Sequence, residues 1–231
     1  MGLPIQSTPT YTCVLPASGE EIKYRPFLVK EQKVLTIARE SESQKQIFEA
    51  VKSLLESVTF NKVTVDKLAV IDMEYLFLKV RTVSVGETSK VSTQCDGDDC
   101  DGRVELLVNL EEIDVIGTEV DPKIMINDEV GVILSPPNVA NIGNLEGTDD
   151  DALEIIQRSI VSVFDQESSY EASEMSNKDM KEFIESLTFK QLELLTNYFE
   201  ELPKLSHTVE GTCNKCSEVT SRTLEGLNSF F

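Results

Sequence analysis

Apolar and polar positions in the first third of the chain change from strand spacing to helix spacing. Residues 10–15 and 21–25 alternate apolar and polar side chains around a Pro-Ala-Ser-Gly turn, which predicts a β-hairpin. The apolar residues that follow recur at helical spacing with a polar break at residues 40–45, so we expect one interrupted helix or two helices. A densely apolar helix with Asp72 as its N-cap should then lie at the centre of the core.

The middle of the chain has strand spacing, and the region after it has helix spacing again. Strands are predicted at residues 89–93, 103–108, 123–126 and 130–134, followed by a linker at residues 135–150 that is rich in Pro, Asn, Gly and Asp. A helix is predicted from Asp149 onwards, because one apolar stripe is formed by Leu153, Ile156, Ile160, Val163 and Phe164. Two further helices are expected after the N-caps Ser176 and Thr188, before a final β-like segment.

These patterns predict an α+β fold in four successive segments. The segments are an N-terminal β-hairpin plus helices at residues 1–86, a β-rich segment at 87–148, a helical segment at 149–203 and a C-terminal β-hairpin at 204–231. We expect the helical N-terminal and inserted C-terminal segments to lie around a small β module. A chain of 231 residues with 40% hydrophobic residues is long enough to bury a core of this kind.

The formal net charge of −20 restricts the kinds of partner that the chain can bind. It has 21 Lys and Arg residues against 41 Asp and Glu residues, whereas a protein that binds phosphate backbones must neutralise them with cationic side chains. General binding to nucleic acid is therefore not expected, and neither is docking on an anionic membrane. The acidity indicates either solubility alone or acidic surfaces that meet basic partner proteins.

The cysteines are expected to be reduced thiols. The N-terminal residues have neither the basic start nor the apolar stretch of a signal peptide, and no apolar run approaches the roughly 20 residues that a membrane-spanning helix needs. We therefore expect synthesis in a cytoplasm, where thiols stay reduced.

Two cysteine pairs, Cys95/Cys100 and Cys213/Cys216, each occupy a turn between two strand-like segments. Such a turn points two thiolates at one position and is typical of a zinc knuckle. A structural zinc ion needs four ligands, and each pair supplies two. We therefore predict one structural zinc site on all four cysteines, in which two distant knuckles close a small module that is similar to a zinc ribbon.

The sequence leaves other interpretations of these residues open. A CxxC pair can be redox-active, although it would then normally open a helix, and four metal-free thiols are a further alternative. The carboxylates around the first pair do not match the spacing of a calcium-binding loop and are expected to form a solvated turn; they are Asp96, Asp98, Asp99 and Asp101. Cys13 has no partner in the sequence and is expected to be a small core residue.

His207 is the only histidine, so a catalytic set of the Ser-His-Asp or Cys-His kind would have to include it. It lies at the start of the last β-like segment, where an ordinary strand position is favoured over a role as a zinc ligand. The sequence contains no phosphate-binding loop, metalloprotease motif or nucleophile elbow. A zinc ion closed by four cysteines also has no open position for water. We therefore predict no catalytic residues and no enzyme activity.

Several stretches of the chain are similar to one known family of viral proteins. They are Ile22–Glu31, Val65–Leu68, Asp72–Lys79, Val83–Glu87, Leu202–Glu210, the CxxC pair, and Leu224–Leu227 before Phe230 and Phe231. In combination they resemble the baseplate hub proteins of T-even-type contractile-tailed bacteriophages. The stretches span nearly the whole chain, so the resemblance applies to all of it.

The resemblance implies a role in building the central hub of the tail baseplate. Two functions follow from it: a non-enzymatic structural hub subunit that holds zinc, or a transient chaperone for hub assembly that is absent from the mature virion. The implied partners are other baseplate hub and tail proteins, with a homo-oligomer within the symmetric assembly as a further expectation. The implied locations are the host cytoplasm during assembly and the tail baseplate of the virion.

Overall fold

A computed structural model describes residues 7–41, 43–117, 120–142 and 149–226, in which helices and small antiparallel sheets alternate. Residues 143–148 of the predicted linker and Leu227–Phe231 of the resemblance lie outside the described residues. The mixture of helices and sheets agrees with the predicted α+β class. None of the described helices is long and apolar enough to cross a membrane.

The chain divides into two compact units that are interleaved in sequence. Unit 1 consists of Met1–Val65, Ile71–Ile116 and Lys204–Phe231, and unit 2 consists of Asp66–Val70 and Gly117–Pro203. Most of unit 2 is therefore an insertion between two stretches of unit 1. Within unit 1 the strands that flank this insertion are neighbours, because Ile116 pairs with Lys204.

The N-terminal part of unit 1 is one hairpin followed by helices, as its spacing predicts. Strands β1 (Tyr11–Val14) and β2 (Glu21–Tyr24) pair antiparallel, and the helices are α1 (Val29–Glu40), α2 (Gln44–Val58) and α3 (Val70–Val85). The polar break in the sequence therefore separates two helices rather than interrupting one. Helix α3 supplies several of the most buried side chains, including Leu76 and Phe77, because it is apolar on nearly every side.

Asp72 is not the N-cap that the sequence indicates, because α3 begins two residues earlier, at Val70. Its side chain is buried, and its two carboxylate oxygens accept hydrogen bonds from the N–H groups of Ala17, at 2.7 Å, and Ser18, at 3.1 Å. Both donors lie in the turn between β1 and β2. Aspartate often caps helices, but the side chain of Asp72 instead accepts hydrogen bonds from backbone N–H groups of a distant turn. These hydrogen bonds connect the N-terminal hairpin to α3.

An ion pair between Arg25 and Glu31 fixes the start of α1. The guanidinium donates to both carboxylate oxygens of Glu31, at 2.8 and 3.0 Å, and the hydroxyl of Ser57 and the N–H of Leu28 donate to the same carboxylate. Burial raises the pKa of Glu31, but the hydrogen bonds from Arg25, Leu28 and Ser57 outweigh it and hold the pKa at about 2. Because Ser57 belongs to α2, the network ties α1 to α2.

The remaining strands of unit 1 form two small sheets. Strands β3 (Thr88–Gln94) and β4 (Arg103–Asn109) make one hairpin. The other sheet has the order β11-β10-β5, from β5 (Asp114–Ile116), β10 (Lys204–Thr212) and β11 (Val219–Glu225). A Cβ atom at Gly211 of β10 would lie 2.7 Å from Leu106 and 2.8 Å from Val104 of β4, so the two hairpins pack closely at that point.

Unit 2 combines one four-stranded antiparallel sheet with short helices. Its strands, in sheet order, are β6 (Lys123–Met125), β7 (Gly131–Leu134), β8 (Ile160–Phe164) and β9 (Ser169–Glu171). Its helices are α4 (Val139–Ile142), α5 (Asp149–Ser159), α6 (Asn177–Glu185) and α7 (Phe189–Glu201). The buried core joins sheet and helix side chains: Ile126, Val132, Leu134, Ile156, Ile160, Val163, Met180, Ile184, Leu195 and Tyr198.

The helix predicted from Asp149 is shorter than its apolar stripe indicates. It ends at Ser159, and Ile160, Val163 and Phe164 belong to β8, so residues 149–203 are not entirely helical. The β-branched side chains of β8 favour a strand, and pairing with both β7 and β9 satisfies its backbone hydrogen bonds. Ser176 does accept a hydrogen bond from the N–H of Asp179 and caps α6, as predicted.

Candidate metal centre

The four cysteines of the two predicted pairs converge on one place in unit 1. Cys95 and Cys100 lie in the loop between β3 and β4, and Cys213 and Cys216 lie in the loop between β10 and β11. Their Sγ atoms all lie within 4.8 Å of one another. The separation of Sγ atoms is 3.4 Å between Cys95 and Cys216 and 3.9 Å between Cys100 and Cys213. The convergence joins positions that are more than one hundred residues apart in the sequence.

Backbone N–H groups point at these sulfur atoms in a regular way. Gly97 donates to the Sγ atom of Cys95 at 3.3 Å, Gly102 to that of Cys100 at 3.4 Å, and Lys215 to that of Cys213 at 3.4 Å. Each donor follows its cysteine by two residues. Such hydrogen bonds favour the thiolate form, which is the form that binds metal ions.

The spacing of the sulfur atoms fits a tetrahedral metal site. Four thiolates about 2.3 Å from a central zinc ion lie about 3.8 Å from one another. The two measured separations, 3.4 and 3.9 Å, lie on either side of that value. A set of four thiolates suits zinc or iron, and it is poorly suited to calcium or magnesium, which bind oxygen ligands. The cluster can therefore hold a metal ion without a large movement of the loops.

Hydrogen bonds shift the pKa values of the two thiols of the second pair in opposite directions. The N–H groups of Cys216 and Lys215 lower the pKa of Cys213 to about 7. The N–H of Glu218 lowers the pKa of Cys216, but hydrogen bonds with the neighbouring sulfur atoms raise it to about 12. A sulfur cluster of this kind cannot carry four negative charges by itself, and a bound cation would relieve that repulsion.

Two ion pairs join the hairpins beside the sulfur cluster. Arg222 of β11 donates to both carboxylate oxygens of Asp96, at 2.6 Å each, and Lys215 donates to Asp101. The hydrogen bonds from Arg222 lower the pKa of Asp96. All four carboxylates of the first loop are exposed, as expected for a solvated turn, and two of them, Asp96 and Asp101, also form ion pairs with the second hairpin. The ion pairs offset part of the acidity of the first loop at its contact with the second.

Four residues of the centre were not among those predicted from the sequence. Gly97 and Gly102 follow Cys95 and Cys100 at the same spacing, and this repeated Cys-x-Gly pattern is the signal that could have identified them. Arg222 and Lys215 have no such signal, because their acidic partners are distant in sequence. His207 lies in β10 opposite Leu224, and the four-residue cluster does not include it.

Cys13 differs from the other cysteines in its surroundings. It lies in β1 and is half-buried, and burial raises the pKa of its thiol to about 11. The Cys13 thiol is therefore protonated near neutral pH and is a poor nucleophile.

Replacing Gly102 with alanine is expected to weaken metal binding about 10-fold or more. The new Cβ atom would lie 2.8 Å from the Sγ atom of Cys213 and 3.1 Å from that of Cys100, so one knuckle must shift. Zinc affinity, measured by competition with a chromophoric chelator, is the readout. Asp98→Ala, which changes an exposed residue of the same loop, is the matched control and should change the affinity by less than about 3-fold. Equal affinities for both variants would contradict a metal site at these sulfur atoms.

Comparison with known proteins agrees with the resemblance seen in the sequence. Residues 8–231 match the family described as T4 bacteriophage base plate protein, and this range includes all four clustered cysteines. Neither the curated proteins nor the solved structures contain a match to the chain. The match confirms the baseplate part of the resemblance, and the assignment to the hub stays a prediction. Because it covers nearly the whole sequence, the chain belongs to the family of T4 bacteriophage base plate proteins.

Proposed function

We propose that this chain is a non-enzymatic structural subunit of the phage baseplate hub, held together by one zinc ion on Cys95, Cys100, Cys213 and Cys216. Membership of the family makes the chain a structural baseplate component that contacts other baseplate or tail proteins. The hub, the zinc ion and the role in assembly are the further steps of the proposal.

The observation that carries the zinc proposal is the convergence of four sulfur atoms from two hairpins. Their Sγ atoms lie within 4.8 Å of one another although the loops that hold them are distant in sequence. A cluster of thiols has little to stabilise it in a metal-free protein, since hydrogen bonds between thiols are weak. A zinc ion bound by four thiolates is a closed structural site, and its binding free energy contributes directly to folding.

A zinc ion bound by these cysteines would stabilise the part of unit 1 into which unit 2 is inserted. The zinc ligands of β10–β11 lie at one end of the sheet that also contains β5. Strands β5 and β10 are the two strands from which the chain leaves unit 1 and to which it returns. Fixing β10 against β4 therefore fixes the strand that receives the returning chain. A subunit that must present a constant surface to its neighbours benefits from such a connection.

Mass spectrometry of purified mature tails, combined with metal analysis of the isolated protein, tests both parts of the proposal. We expect the chain at a fixed stoichiometry in mature tails and about one zinc ion per chain. Absence from mature tails, with presence in assembling extracts, would instead support the transient chaperone for hub assembly. Iron at the same site would correct the metal. Much less than one metal ion per chain, with the thiols intact, would refute the metal site.

A further inference from the structure

Helix α1 of unit 1 exposes apolar side chains that a soluble surface helix would normally bury. The exposed fractions of Val29, Val34 and Ile37 are 71%, 53% and 66%. Only Ala38 of α1 is fully buried. Valine and isoleucine are weak helix formers, so helix propensity gives no reason for these residues at exposed positions. Neighbouring exposed apolar residues on one helix face are typical of an interaction site.

Two lysines lie among these apolar residues, and together they form the α1 outer face: Val29, Lys30, Lys33, Val34 and Ile37. Residues 29, 33 and 37 follow one another at a spacing of four, and residues 30 and 34 form the adjacent row. Within the described part of the chain, no acidic side chain forms an ion pair with either lysine. The face therefore offers positive charge and apolar area together, on a chain whose formal net charge is −20.

The inner side of α1 is anchored, so its outer face is presented in a fixed orientation. The carboxylate of Glu31 accepts hydrogen bonds from Arg25 and from Ser57 of α2. At the other end of the helix, the hydroxyl of Ser41 donates to the carbonyl oxygen of Ala38. Helix α1 has two acids: Glu31 is already paired on the opposite side, and Glu40 lies two turns beyond Lys33 at the end of the helix. A face that is rigid before binding loses less conformational entropy when it binds.

We propose that the α1 outer face docks an acidic segment of another baseplate protein whose own apolar side chains cover Val34 and Ile37. The inference rests on the proposed function for the existence of such partners and adds the surface and the chemistry of the contact. Charge complementarity selects the partner: carboxylates would pair with Lys30 and Lys33 while apolar side chains pack between them. A second copy of this chain and an anionic membrane are the other occupants that such a face could take, and the crosslinking experiment distinguishes them.

Site-specific photocrosslinking tests the proposal in infected cells. The probe is p-benzoylphenylalanine in place of Ile37, incorporated into the full chain during phage assembly, with the adduct identified by peptide mass spectrometry. We expect an adduct with a segment of a different tail protein that contains several Asp or Glu residues beside apolar ones. An adduct with a second copy of this chain, an adduct with lipid, or no adduct would each overturn the proposal.

Charge reversal provides the second arm of the experiment. Lys30→Glu combined with Lys33→Glu should lower the adduct yield about 10-fold or more, because both attractive charges become repulsive. Lys62→Glu, at an exposed position of unit 1 outside α1, is the matched control and should leave the yield within about 2-fold. The proposal also fails if the double variant retains the yield of the unaltered chain. Unchanged thermal unfolding of each variant confirms that it is folded.

Crosslinking in mature tails and in assembling extracts distinguishes a failure of this inference from a failure of the proposed function. If the chain is present in mature tails at fixed stoichiometry but Ile37 forms no adduct, docking through α1 is overturned and the hub subunit stands. If the chain is absent from mature tails but forms the expected adduct in assembling extracts, the structural hub subunit is overturned and docking through α1 stands.

Discussion

Replacing Cys213 with serine is expected to abolish zinc retention and to lower the free energy of unfolding of unit 1 by on the order of 5 kcal/mol. The Cys213 side chain is buried, and its Sγ atom lies 3.9 Å from that of Cys100. Serine is a poor ligand for zinc, so three thiolates and one hydroxyl would remain around the ion. A loss of this size is comparable with the whole stability of many domains. Thermal unfolding with and without added zinc measures it.

The fifth cysteine supplies the matched control for this prediction. Cys13→Ser changes a half-buried thiol in β1 that does not belong to the sulfur cluster. We expect it to cost about 1 kcal/mol and to leave the zinc content unchanged. A strong chelator should destabilise the unaltered protein and Cys13→Ser strongly, and Cys213→Ser only weakly. If the chelator left the unaltered protein as stable as before, zinc would not be holding the two hairpins together.

The second large effect is expected at Glu31, whose replacement by alanine should lower the free energy of unfolding by about 3 to 5 kcal/mol. The side chains of Arg25 and Glu31 are only 13% and 11% exposed, so the substitution leaves a mostly buried guanidinium without its carboxylate. The hydroxyl of Ser57 and the N–H of Leu28 lose their acceptor as well. Urea unfolding followed by circular dichroism measures the loss.

A double substitution distinguishes the unpaired charge from the loss of packing. Arg25→Leu combined with Glu31→Leu removes both charges and should cost less than Glu31→Ala alone, because no buried charge is left without a partner. Equal losses for the two variants would show that the ion pair is not the cause. The comparison requires only that both variants fold.

The ion pair also predicts how stability changes in acid. The pKa of Glu31 is about 2 in the folded protein against an ordinary value of 4.5, so the folded state binds its proton less readily than the unfolded state. The contribution to stability is complete above about pH 4.5 and decreases as the pH falls towards 2. The stability difference between the unaltered protein and Glu31→Ala should therefore become smaller over this range.

Local patterns predicted those parts of the fold that depend on neighbours in sequence. The alternating residues around Cys95 and Cys213 indicated two hairpins, and the thiol-bearing turns followed from them. The end of α5 was predicted too late in the sequence, because the apolar spacing of the helix continues by coincidence into β8. Residues 160–164 form a strand because they pair with β7 and β9, and a short stretch of sequence does not reveal that pairing.

Contacts between distant residues account for the other differences. Asp72 has the residue type of an N-cap but lies inside α3, and a turn more than fifty residues earlier supplies its donors. Arg222 and Asp96 are similarly distant, and an acidic chain offers many carboxylates among which the sequence cannot select one. The cysteines were the exception, because five thiols in two close pairs and one single residue leave few possible combinations.

The position of the sulfur cluster also orders events during translation. Cys95 and Cys100 leave the ribosome well before Cys213 and Cys216, and residues 101–212 are made in between. The cluster therefore cannot close until almost all of the described chain has been synthesised, and products that terminate within unit 2 lack half of its sulfur atoms. Closure of the cluster thus requires that both hairpins have been synthesised, and chains truncated between them would be left with an unpaired, protease-sensitive hairpin.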